Sequence, residues 1–195
     1  MVGAAMLSLA LGVSASADPR RFIPPNTPGQ AGQNNLQLMV DPPALQGPGV
    51  NLVVQDGVLS GELQGHAVNV SVGGSRAEGT GPGGKVSLDW TRTSDGTLEV
   101  RGVWNDHKVK LDFSANSITG HLMQSVTPTG EGVKSCRFDI NQQKGANLGG
   151  LSECLGYSEP VRYQIQPVAK AELNNPEVAL LLVAFFESPT SFQVR

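Results

Sequence analysis

Residues 59–72 read Leu59-Ser60-Gly61-Glu62-Leu63-Gln64-Gly65-His66-Ala67-Val68-Asn69-Val70-Ser71-Val72, and the fold follows from how this pattern recurs. Gly61, Gly79, Gly102 and Gly120 lie 18, 23 and 18 residues apart. Seven residues after each of the first three, an alternating run begins: Val68-Asn69-Val70-Ser71-Val72, Val86-Ser87-Leu88-Asp89-Trp90 and Val109-Lys110-Leu111-Asp112-Phe113. Apolar side chains at every second position are the signature of a strand with one buried face. The spacing therefore predicts a repeated β-hairpin, in which one strand crosses the glycine, turns within a few residues, and returns as the alternating strand. Strands are expected at about 67–72, 85–91 and 108–113, with Val68, Val86 and Val109 on one side of one antiparallel sheet. Asp56-Gly57 and Asp95-Gly96 are turn dipeptides between units, and Asn105-Asp106 turns within one. A glycine inside each strand marks a bulge or bend where a sheet curls. The expected fold is mainly β, a curved antiparallel meander forming a small barrel or half-barrel of roughly 8–10 strands, with one C-terminal helix.

Cys136 and Cys154, the only cysteines, are placed symmetrically about Gly145. Opposed residues of a hairpin have a constant index sum, so the two are expected to face each other across a hairpin over 134–156. Cα atoms should then lie about 4.4–6.8 Å apart. Such a pair belongs in an oxidising compartment. Ala4 to Val13 is a short apolar core followed by Ala15-Ser16-Ala17, an A-x-A cleavage site. Residues 1–17 thus read as a signal peptide, although the usual basic residue before the apolar core is missing, and a secreted or periplasmic location is expected. Pro19, Pro24, Pro25, Pro28, Pro42, Pro43 and Pro48 make 18–49 an extended arm or linker, interrupted only by a strand-like Leu36-Gln37-Leu38-Met39-Val40. The β-domain is assigned to 50–195.

Toward the C-terminus, Val161-Arg162-Tyr163-Gln164-Ile165-Gln166 alternates between two prolines, the pattern of an edge strand. Asn175 as N-cap, Pro176 in the first turn and Glu177 open a helix over about 176–187. Its run from Val178 to Phe186 is apolar on every side, as in a buried helix. It spans less than half a bilayer core. Packing over the open side or end of the curved sheet is the expected location.

Composition narrows the function. Hydrophobic residues at 39% and a net charge of −3 do not describe a disordered chain. A sequence pI near 5.6 lacks the basic footprint of a nucleic-acid binder. Gly79-Thr80-Gly81-Pro82-Gly83-Gly84-Lys85 begins like a P-loop, but Val86 stands where Ser or Thr should hold magnesium. Ser75 lacks the final glycine of a nucleophile elbow. His66, His107 and His121 are too widely spaced to read as a zinc set, and surface placement is expected for each. Asp89 and Asp112 alternate away from the apolar positions and should face water. The short alternations and scattered aromatics do not match a membrane-spanning barrel, and no cofactor or metal is called for. The leading expectation is an exported, non-enzymatic β-domain that binds a small apolar ligand or a protein partner, with Trp90, Trp104 and Phe113 as ligand-contacting candidates. Core packing is the competing role of those three. A structural or assembly component of a cell envelope or surface is the alternative, and a hydrolase ranks below both.

Overall fold

In a hairpin with a two-residue turn, residues seven apart stand opposite one another two rungs beyond the first pair, and that geometry explains the repeat. The computed structural model describes residues 34–125, 133–143, 147–155, 161–167 and 172–187. Gly61 faces Val68, Gly79 faces Val86 and Gly102 faces Val109, around turns at 64–65, 82–83 and 105–106. At the first of these, Gln64 (φ 58°) and Gly65 (φ 77°) are both left-handed, as the right-handed twist of the flanking strands favours.

Among the described residues there are thirteen strands. They are β1 Asn34–Val40, β2 Pro43–Gly47, β3 Val50–Gln55, β4 Val58–Leu63, β5 His66–Gly73, β6 Arg76–Gly81 and β7 Gly84–Arg92. Then follow β8 Leu98–Trp104, β9 His107–Phe113, β10 Ser117–Ser125, β11 Val133–Gln142, β12 Leu148–Cys154 and β13 Val161–Pro167, and finally helix α1 Pro176–Phe186. Each strand pairs antiparallel with the next, and β1 lies parallel to β13, closing a barrel. Val68, Val86 and Val109 are all buried, so the alternating runs share the inner face.

The curl of the wall has a specific backbone cause. Gly61, Gly79, Gly102, Gly120 and Gly150 sit on β4, β6, β8, β10 and β12, opposite Leu52, Val70, Leu88, Leu111 and Ile140 of the preceding strands. At all five a Cβ would overlap a carbonyl oxygen of that neighbour, respectively of Asn51, Asn69, Ser87, Lys110 and Asp139. The strands therefore approach more closely there than a side chain permits, which is how a sheet bends into a tube.

Four expectations are corrected. The mainly β barrel with one C-terminal helix is as expected, but it has thirteen strands instead of roughly 8–10, because two-residue turns fit more strands into the same length. Part of the segment read as a linker forms β1 and β2, with Leu36, Leu38, Ala44 and Leu45 buried. Prolines at 42, 43 and 48 fall at the turn and the strand start, where a missing N–H is tolerated. The signal peptide over 1–17 and the rest of the arm, 18–33, lie outside the described residues. β13 is not an edge strand, since it pairs with both β12 and β1.

The fourth correction concerns the helix, which does not lie over an opening in the sheet. Asn174 at its start donates to Gly96 O (2.9 Å) and accepts from Arg92 (2.8 Å), at the β7–β8 turn. Glu187 at its end pairs with His107, at the β8–β9 turn. Those turns are opposite ends of β8, so the helix runs from one rim to the other. Between them Val178 to Phe186 are all buried. The helix packs on β2, β3, β4 and β8, while the Phe186 ring packs at a tilt against Phe138 of β11 (4.7 Å) and edge to face with Tyr163 of β13 (5.5 Å). Contacts in so many directions place it inside the lumen. Eight strands enclose an interior that side chains alone can fill, and thirteen leave a wider one. A helix with side chains, about 10–12 Å across, occupies that space. Its first turn is capped as the sequence predicts, with Asn175 Oδ1 accepting from Glu177 and Val178 N–H.

Cys136 and Cys154 are bonded and directly opposed in the β11–β12 ladder, with Cα atoms 4.0 Å apart. This is nearer than the expected range. Closing a loop of this length stabilises by about 3 kcal/mol in the chain-entropy model. Reduction of the purified protein should therefore lower its thermal midpoint by several degrees, measured by calorimetry with and without reductant. An unchanged midpoint would show that β11 and β12 are held by the barrel alone.

Candidate functional site

Trp90, Trp104 and Phe113 all point inward and join one hydrophobic core. Trp104 and Phe113 are completely buried and Trp90 nearly so. They do not all lie at one end of the barrel. Trp104 stands opposite Val86 near the β8–β9 rim, while Trp90 and Phe113 occupy the far ends of β7 and β9.

A polar group that the sequence reading did not single out lies at the Trp104 rim. Glu187 follows the apolar helix directly, and its side chain is fully buried. A carboxylate at the negative end of a helix dipole is poorly placed, and burial adds a desolvation cost. His107 provides the compensation: its Nδ1 pairs with Glu187 Oε2, and its Nε2 lies 3.6 Å from Asp106 Oδ1. His107 is 13% exposed, so the surface role expected for it is corrected, whereas His66 and His121 are exposed as expected. Burial raises the Glu187 pKa above the ordinary carboxylate range. The hydrogen bond and charge of His107 oppose that rise, and Asp106 adds to it. Among the described residues, Glu187 Oε1 and Trp104 Nε1 have no hydrogen-bond partner. Asn105, left-handed at φ 58°, donates through Nδ2 to Pro82 O and ties the β8–β9 turn to the β6–β7 turn. Burial and tie follow from the helix passing through the lumen, which spacing does not reveal. The signal available in sequence was a lone acid immediately after nine apolar residues.

The outer wall is polar. Arg76 pairs with Glu78 (2.6 Å) and Asp89 (3.8 Å), and Arg101 with Asp112 (2.6 Å) and Glu99 (3.5 Å). Asp89 is largely exposed and Asp112 partly so. Charges at mid-strand replace the apolar outer band that a lipid-facing barrel carries. No helix among the described residues is long and apolar enough to cross a membrane. A depression of about 350 Å³ on the outside of β11 and β12 is lined by Arg137, Asp139, Asn141, Gly150, Leu151 and Glu153. Leu155, 66% exposed, follows the end of β12. Among the described residues no three His, Cys, Asp or Glu side chains are arranged to hold a metal.

Fold and surface together define a closed, disulfide-bonded β-barrel with a polar exterior and an internal helix. Comparison with known protein families, with curated proteins and with solved structures found no match.

Proposed function

We propose that this is an exported, non-enzymatic binding module that engages a protein partner through its outer wall. The observation that carries this reading is the occupied lumen. A barrel that binds a small apolar molecule keeps an inner chamber for it, whereas α1 lies in the lumen here with Val178 to Phe186 buried. The bonded cysteine pair supports an oxidising compartment, in keeping with secretion or a periplasmic location. The outside of β11 and β12 is the first surface to test. Leu151 and the exposed Leu155 offer apolar contact beside Arg137, Asp139 and Glu153, a mixture typical of transient interfaces.

A photo-crosslinking residue at Leu155, compared with one at the exposed Ser71 on β5, tests the reading in the producing cell. A discrete adduct at 155 that is lost on Arg137→Glu is expected. Indistinguishable adducts at both positions would remove the proposed surface. The lumen is tested separately by titrating the protein with a long-chain fatty acid while following tryptophan fluorescence. No saturable change is expected, and a saturable response of one molecule per chain would restore the apolar-ligand reading with Trp90, Trp104 and Phe113 as its contacts.

A further inference from the structure

We propose that Glu187 and His107 form a proton-operated clasp, which holds the end of the lumenal helix to the β8–β9 rim while the pair keeps a proton and releases it when that proton is lost to solvent. Glu187 is the one charged residue among the buried side chains described. It lies 80 positions from His107 in sequence, so their bond joins helix to wall. The opposite end of the helix is held differently, by Asn174 and Arg92 on backbone carbonyls. Those contacts are made by an amide and a guanidinium, with no carboxylate or imidazole among them. The proton dependence is therefore confined to one end of the helix.

The charges facing the pair set the direction of the switch. His107 comes from β9 and Asp106 from the β8–β9 turn, and these are the charged groups that act on Glu187 among the described residues. With the proton present, one positive charge lies between two carboxylates, or Glu187 is neutral. Without it, a buried carboxylate faces Asp106 and the negative end of its own helix. The Glu187 pKa is raised by burial. Stability from such a group is fully present below the ordinary carboxylate pKa and is lost as pH rises through the raised value. The clasp is closed in acid and opens toward alkaline pH.

Amide hydrogen exchange of the unmodified chain from about pH 4, near the ordinary carboxylate pKa, to about pH 9 reads the clasp, after correction for the intrinsic pH dependence of exchange. Protection at Phe186 and Glu187 should fall about tenfold or more as the helix end opens locally, while Val178 and Ala179 stay protected. In Glu187→Gln, which keeps a hydrogen-bonding side chain without the charge, the pH dependence at Phe186 should vanish. Asn replacement of both exposed histidines, His66 and His121, should leave it intact. A second readout is the fluorescence of Trp104, which faces His107 in the ladder, in a Trp90→Phe background. Protection that does not change with pH in the parent, or the same pH profile in Glu187→Gln, would overturn the proposal.

Discussion

A chain ended after Asn174 is expected to fail to fold and to aggregate. The truncation removes Val178, Leu180, Leu181, Leu182, Val183, Phe185 and Phe186, all buried to within 2%. Each is worth about 1.5–3 kcal/mol on full burial. Seven such side chains match or exceed the roughly 5–15 kcal/mol by which a typical domain is stable. The loss is compounded because the wall cannot collapse into a lumen of that width, and water would meet the inner faces of Leu52, Leu88 and Phe138. Phe186→Ala alone should cost about 3–5 kcal/mol, the usual range for a buried aromatic, since its ring meets Phe138, Tyr163 and Phe185. Circular dichroism melts and size-exclusion chromatography read both variants. A truncated monomer with an unchanged thermal midpoint would show that the helix is not part of the core.

Gly102→Ala should destabilise by several kcal/mol, a large effect for one methyl group. Two costs coincide at this site. The backbone at φ 141° is one that side chains rarely adopt, with strain of about 1–3 kcal/mol. The new Cβ would also overlap the carbonyl oxygen of Ser87, so β7 must move away and lose ladder hydrogen bonds. Gly73→Ala is the matched comparison. It has no atom within 4 Å of its Cβ position and no left-handed φ, so its cost should stay within about 0.5 kcal/mol, as for surface substitutions free of special features. Chemical denaturation of the two variants separates the explanations. Equal, small effects would mean that the glycines are not what bends the wall.

Much of this architecture was legible because it is local. A seven-residue interval between a glycine and a valine encodes a two-residue turn, and the alternation after it encodes which side faces inward. The same reasoning matched Cys136 to Cys154, since a ladder conserves the sum of paired indices. Gly150 escaped notice because no alternating run follows it like those that made Gly61, Gly79 and Gly102 conspicuous. Closure was not legible, because the pairing of β1 with β13 joins Leu36 to Ile165, and no local pattern reports on a partner so distant. Proline content also misled: at 42, 43 and 48 it marks turns and a strand start, and β1 and β2 fit between. The rim pair was hidden for a related reason. His107 and Glu187 meet only because the helix traverses the lumen, so neither residue carries the signal alone.

The position of that helix is tested most directly by nuclear Overhauser contacts from its side chains. A helix inside the barrel predicts contacts in opposed directions at once, from Phe186 to Phe138 and Tyr163, and from the methyl groups of Leu180 to Val183 to β2, β3, β4 and β8. Contacts to one group of neighbouring strands only, with the remaining helix side chains open to a soluble paramagnetic agent, would place the helix outside the lumen and contradict the plugged barrel.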